Sequence, residues 1–285
     1  MRNLISSKDL TKKDIEALFR LTDKLKKSKT KPLSGKTLML FFEKPSTRTV
    51  VSFATAMIQL GGGYIYLTPR EMQISRGETI RDTAKVLSRY VDGIAARTFK
   101  HTTVTSLAEH ADIPVINALT DLEHPCQALA DLYTIKKKKG LKGKIVFLGD
   151  GSNNTFHSLI QLCEKFNFEI IVSCPAKYKP KIKGKYKVVT NPREAIKGAD
   201  IVYTDVWVSM GQEKQAKQRL KDLSKYQLNP GLLKLAPRAI VMHPLPAHRG
   251  QEITSPVLDG KQSVVLDQAE NRLHTQKAVL CALMK

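Results

Sequence analysis

The chain has 285 residues, 42% of them hydrophobic and 26% charged, with a formal net charge of +21. That length suits two hydrophobic cores better than one, and the apolar content excludes a disordered chain. No apolar run approaches the ~20 residues that span a bilayer, and Met1-Arg2-Asn3-Leu4 lacks the apolar stretch of a secretory signal, so a cytoplasmic protein without a membrane partner is expected.

Taken in chain order, the first element is a helix. Ile15, Leu18, Phe19, Thr22 and Leu25 fall on one face, and Thr11 with Asp14 has capping-box spacing. Short apolar runs at 37–42, 64–67, 93–96 and 114–118 then read as strands, alternating with helical patterns at 47–60, 78–90 and 103–110. A longer helical pattern at 125–138 stops at Gly140 and Gly143. Strand patterns resume at 144–148, 169–174, 201–206 and 239–243, followed by a strand-like 264–266 and a last helix at 268–283. Strands separated by helical crossovers form parallel sheets covered on both faces. The expected fold class is therefore α/β: two domains, each a parallel sheet flanked by helices, joined by inter-domain helices, with a cleft between them. The boundary falls near 138–143, and ligands are expected beyond the carboxyl ends of the strands.

The charge has two readings, a nucleic-acid binder or a lysine-rich surface around an anionic substrate. Lysines concentrate at 136–139 and at every second position from Lys177 to Lys187, broken by Pro180 and Gly184. Neither stretch carries an aromatic stacking pattern or a helix-turn-helix, so no nucleic-acid partner is expected. The cysteines at 126, 163, 174 and 281 share no C-x-x-C spacing, and no H-E-x-x-H pair is present. Reduced, mostly buried thiols are expected, with no metal and no cofactor.

Chemistry-bearing residues cluster after the strands. Ser46-Thr47-Arg48-Thr49 stands between the first strand and a helix, where unpaired N–H groups and the helix dipole favour an anion. A simple N-cap would account for Ser46 or Thr47 but does not call for Arg48 beside it. Gln73 precedes an Arg76-Gly77-Glu78 turn, and Arg97 ends the third strand. His124 and Gln127 are three apart at the start of the long helix, so both can face one ligand. In the second half, Gly149-Asp150-Gly151-Ser152-Asn153-Asn154 has a G-x-G, but Asn154 occupies the place of the third glycine of a dinucleotide fingerprint. Asp205, Ser209-Met210-Gly211 and His243-Pro244-Leu245-Pro246 follow two further strands. A carboxylate, amides and carbonyls there suit an amino acid's ammonium and carboxylate.

Together these segments resemble the aspartate/ornithine carbamoyltransferase family. Its S-T-R-T, H-P-x-Q and H-x-L-P motifs match Ser46–Thr49, His124–Gln127 and His243–Pro246. Asp205 with Ser209-Met210-Gly211, Gly149-Asp150 with Asn153-Asn154, and Glu270-Asn271-Arg272 resemble the ornithine branch. The resemblance implies a carbamoyl-phosphate-binding domain over 1–137 and an ornithine-binding domain over 138–285, with a C-terminal helix at about 267–285 packing back on the first. It implies that Ser46, Thr47, Arg48 and Thr49 bind phosphate. Arg97, His124 and Thr49 would polarise the carbamoyl carbonyl, Gln127 would hold its amino group, and Gln73 and Arg272 would complete the pocket. Asn154, Asp205, Ser209, Met210, Pro244 and Leu245 would hold L-ornithine, with the Leu245 carbonyl accepting from the reacting amine and a cis Leu245–Pro246 bond. A homotrimer is implied too.

Two positions depart from the family's pattern. Pro244 stands where the ornithine branch usually has cysteine, and Val50 where the phosphate motif usually continues with arginine. They motivate two other readings, a sister transferase for aspartate, putrescine or an N-acylated ornithine, and a non-catalytic basic paralogue.

Overall fold

The computed structural model describes residues 1–209 and 211–285, and the described chain divides into two compact units. Unit one comprises Met1–Ala130 and Asn271–Lys285, and unit two Asp131–Glu270. Helix α1 (Lys12–Lys27) buries Ile15, Leu18, Phe19, Thr22 and Leu25, and Thr11 and Asp14 close its capping box. Next come β1 (Thr37–Phe42), α2 (Thr47–Gln59), β2 (Gly63–Leu67), α3 (Ile80–Tyr90), β3 (Gly93–Arg97), α4 (His101–His110), β4 (Val115–Leu119) and α5 (Pro125–Lys139). The four strands form one parallel sheet in the order β2-β1-β3-β4. Its central strands are continuous apolar runs such as Leu38-Met39-Leu40-Phe41-Phe42, all buried, as a sheet covered on both faces requires. Edge strand β2 is apolar yet exposed: Tyr64, Ile65 and Tyr66 are 41%, 44% and 38% accessible.

Unit two holds β5 (Lys142–Leu148), α6 (Asn154–Cys163), β6 (Asn167–Ser173), β7 (Lys187–Val188), α7 (Pro192–Ala195), β8 (Ile201–Thr204), α8 (Ala216–Leu223), α9 (Pro230–Leu233), β9 (Ile240–Met242) and α10 (Ser255–Leu258). Its parallel sheet runs β7-β6-β5-β8-β9. Val146, Leu148, Val202 and Val241 centre its core. The last helix, α11 (Val265–Met284), and α5 are both divided between the units, at Glu270–Asn271 and at Ala130–Asp131. Within unit one, Lys277 on α11 donates to Gln59 Oε1 at 3.1 Å and approaches the Leu25 carbonyl.

The parallel α/β expectation holds in both units, with ends shifted by a residue or two. The strand-like 264–266 is corrected: Ser263 makes a single bridge to Val241, and α11 begins at Val265. The β-branched pair Val264-Val265 imitates a strand, but Val264 spends its N–H on the Val241 carbonyl and the chain then coils. Strand β7 went unpredicted because its two residues stand at the end of the lysine-rich stretch and gain strand geometry only by pairing with β6. All four cysteines are free and buried. Burial raises each thiol, Cys126 to about 12 and Cys174 and Cys281 to about 11. Among the described residues, no helix is long and apolar enough to cross a membrane.

Candidate active site

Each sheet reverses its strand order once, and a parallel sheet opens a crevice at such a point. In unit one the reversal lies between β1 and β3, so the loops after these strands are neighbours. They are also tied together. The Glu43 N–H donates to the Arg97 carbonyl at 2.8 Å, and the Phe99 N–H to Glu43 Oε2 at 2.7 Å. The β3–β4 register shifts between Ala96 and Arg97, and Arg97, paired with Phe42 on one side and Leu119 on the other, is the last residue of β3.

Ser46 caps α2, its Oγ accepting from the Thr49 N–H at 3.3 Å, so the capping account of Ser46 is correct as far as it goes. It leaves Arg48 unexplained. Thr47 is exposed, Arg48 half-buried and Thr49 fully buried. The Thr49 hydroxyl accepts from Ser46 Oγ at 3.0 Å and from Arg272 Nη2 at 2.7 Å. Arg272 Nη1 donates to Gln127 Oε1 at 2.8 Å. Sequence-distant Thr49, Gln127 and Arg272 are thereby joined. Arg97, His124, Gln127 and Arg272 are each at most 6% exposed.

The electrostatics follow from that burial. Desolvation, then Arg272 and Arg48, lower the Arg97 guanidinium to about 10, which leaves it charged at neutral pH. Desolvation, then Arg272 and Arg97, push His124 well below its ordinary value, so the imidazole is neutral. Arg97 Nε is buried without a hydrogen-bond partner among the described residues. Such a donor is costly to bury unless something accepts from it. Gln73 stands apart: it is exposed in a short 3-10 turn (Gln73–Arg76), and no described hydrogen bond joins its side chain to the others.

In unit two the reversal lies between β5 and β8. The turn after β5 ends in Asn153, whose Oδ1 caps α6 through the Thr155 and Phe156 N–H groups at 2.9 and 3.1 Å. Its Nδ2 donates to Asp205 Oδ2 at 2.8 Å, and the Val206 N–H to Asp205 Oδ1 at 2.7 Å. Asp205 is 8% exposed. Burial raises its carboxyl above the usual range; nearby Glu252 adds to the rise, while His243 and the two N–H donors oppose it. Asn154, next after Asn153 on α6, and Ser209, on the segment that follows Asp205, are half-buried. Met210 lies outside the described residues.

After β9, Pro244 is buried and the Leu245–Pro246 bond is cis, with Leu245 at φ 55°. The Leu245 N–H donates to His243 Nδ1 at 2.9 Å. His243 Nε2 therefore carries the proton shared with Glu252 Oε1 at 3.0 Å. The His243 N–H donates to Gln268 Oε1 at 2.9 Å, and Gln268 Nε2 to Asp131 Oδ1 at 2.7 Å. Sequence reasoning missed Asn153, Glu252 and Gln268. Only Asn153 carried a signal, as the residue before Asn154 at a strand-to-helix turn.

Residues 2–137 match the family described as "Aspartate/ornithine carbamoyltransferase, carbamoyl-P binding domain". Residues 141–283 match "Aspartate/ornithine carbamoyltransferase, Asp/Orn binding domain". The chain is 51% identical to the ornithine carbamoyltransferase of Oceanobacillus iheyensis, over 99% of this chain and 94% of that one. It is 48% identical to the anabolic ornithine carbamoyltransferase of Pyrococcus furiosus, over 99% and 96%. The solved structure of ornithine carbamoyltransferase from Pyrococcus furiosus superposes with a TM-score of 0.95 at 46% identity, covering 99% and 97%.

Proposed function

Because the chain belongs to the aspartate/ornithine carbamoyltransferase family, we infer that it moves the carbamoyl group of carbamoyl phosphate onto the side-chain amine of L-ornithine. The products are L-citrulline and phosphate, in arginine biosynthesis. The observation that carries this reading is the cluster of Arg48, Arg97 and Arg272 around a neutral His124, set at a helix N-terminus. Buried like charges repel, and a dianionic acyl phosphate relieves that repulsion while accepting from the α2 N–H groups.

Within unit one, Ser46, Thr47, Arg48 and Thr49 bind the phosphate. Thr49 already accepts two hydrogen bonds, so its own proton is free to be donated to the substrate. Arg97 and neutral His124 donate to the carbamoyl oxygen, and Gln127, oriented by Arg272, holds the carbamoyl NH2. Gln73 adds a further contact to this substrate. Within unit two, Asp205 takes the α-ammonium of ornithine, and Asn154, Ser209 and Met210 the rest of the amino-acid group. Pro244 and the Leu245 carbonyl face the side-chain amine. The neutral amine's lone pair then forms a bond to the carbamoyl carbon, and the carbonyl electrons move to oxygen. Arg97 and His124 stabilise that oxyanion; one such preorganised donor is worth ~3–4 kcal/mol. Collapse breaks the C–O bond to phosphate, and the amine nitrogen loses its proton to the departing phosphate.

The domains follow the same division, 1–137 for carbamoyl phosphate and 138–285 for ornithine, with the C-terminal helix serving the first. The protein works in the cytoplasm as a homotrimer. The apolar β2 edge supports the assembly, since an exposed unpaired strand of this kind calls for cover. An acceptor panel with carbamoyl phosphate tests the function: citrulline from ornithine is expected, well above carbamoylation of aspartate, putrescine or N-acetylornithine. Preference for another amine would overturn it. Light scattering should give three times the 31.9 kDa chain mass.

A further inference from the structure

Arg219 on α8 is a buried cation with no part in the chemistry above, 4% exposed. Its Nε donates to the Trp207 carbonyl at 2.6 Å, and its Nη2 pairs with Asp150 Oδ2. The guanidinium lies over the Tyr178 ring, 4.8 Å from the centroid, and the Tyr178 hydroxyl donates to Asp222 Oδ2 at 2.9 Å. Asp150 in turn accepts from the Ser152 N–H at 3.0 Å and Oγ at 2.6 Å. It thereby fixes the turn that delivers Asn153 and Asn154. Trp207 lies two residues beyond Asp205 and two before Ser209. Its indole packs on Gly149, where an added Cβ would sit 2.8 Å from Nε1. One planar fork therefore bridges the two segments that carry the ornithine contacts.

We propose that Arg219 is a positioning residue for the second substrate. It sets ornithine affinity by locking the turn at 149–154 to the segment at 205–209. The proposal rests on the ornithine reading above. A lysine keeps the charge beside Asp150 but cannot bond two acceptors in one plane and stack as well. Removing both charges together avoids the uncompensated buried carboxylate that truncating Arg219 alone would leave.

The test compares wild-type protein with Arg219→Lys and with the double variant Asp150→Asn/Arg219→Gln. Thermal melts come first, then citrulline formation with each substrate varied, then emission of Trp207, the chain's only tryptophan. Expected for both variants is a rise in the KM for ornithine on the order of tenfold to a hundredfold, the scale of an ångström-sized misplacement. The KM for carbamoyl phosphate should stay within about twofold by the same reasoning. The change in Trp207 emission on adding ornithine should shift to the same higher concentrations. Equal changes in both KM values, or an unchanged ornithine KM in the folded Lys variant, overturn the proposal. So does failure of both variants to fold, which would make Arg219 a structural residue only. Wild-type protein that makes no citrulline overturns the ornithine reading itself, separately from the variants.

Discussion

At the strand reversal of unit one the side chains are guanidiniums, hydroxyls and a histidine held neutral; at the reversal of unit two the central group is a buried carboxylate braced by an amide. The scaffold is the same in both, a parallel sheet with loops leaving the carboxyl ends of two neighbouring strands. Topology thus sets where a site can form, and residue type decides which ion it takes. The electrostatic shifts show the cost on each side. Arg97 and His124 are pressed toward neutrality by burial and by other cations, whereas Asp205 is pressed toward neutrality by burial and by Glu252. Each half is poised for an ion of opposite sign.

The largest expected effect falls in unit one. Arg97→Ala should lower kcat by roughly 10²- to 10³-fold, the loss of one oxyanion donor, while ornithine KM stays close to wild type. A mainly ornithine-side defect would break the division between the units. Asp205→Asn should reduce kcat/KM for ornithine by roughly 30-fold or more, corresponding to ~2 kcal/mol or more for a truncated charged pair. Binding of carbamoyl phosphate, followed by calorimetry, should not change.

The same substitution should raise Tm at neutral pH. Below the ordinary aspartate pKa of ~3.9 the side chain is protonated both folded and unfolded, and the variant gains nothing. Above it the unfolded chain ionises freely while the fold resists, because the folded pKa is raised. The advantage of Asn therefore grows with pH through the folded pKa and then levels off. A gain that shrinks as pH rises would reverse the assigned shift.

Thr49→Val leaves the Arg272 and Ser46 donors without their shared acceptor. Its expected cost is about tenfold in carbamoyl phosphate KM, from the ~1–3 kcal/mol of an unsatisfied buried group. The smallest signal is an absent one. Only the neutral ornithine amine reacts, so kcat/KM should climb about tenfold per pH unit below the amine's pKa of ~10.4. His124, held neutral, should add no inflection between pH 5 and 8. An inflection there that disappears in His124→Asn would show that the imidazole titrates.

The sequence exposed those candidate site residues that sit directly after a strand. Ser46–Thr49 and Arg97 follow runs too apolar to be anything but buried strands, and His124 opens a helix with a proline at its first position. Contacts that depend on how the strands are ordered stayed hidden. Asp150 and Arg219 are 69 positions apart, and Asp131 and Gln268 are 137 apart. No local pattern announces such pairs, because the sheet order that brings them together is a property of the whole unit. Val264-Val265 misled for the opposite reason: local strand propensity was present, but only Ser263 found a pairing partner.

The four buried cysteines have a practical consequence. With every thiol sequestered and its pKa raised, and with proline at position 244, the folded chain offers alkylating reagents and mild oxidants little to react with. A single cysteine engineered at an exposed position would then be the one fast-reacting thiol. Fluorophores or spin labels could be attached there without first stripping the native sulfurs, and their spectra read on the intact enzyme during turnover.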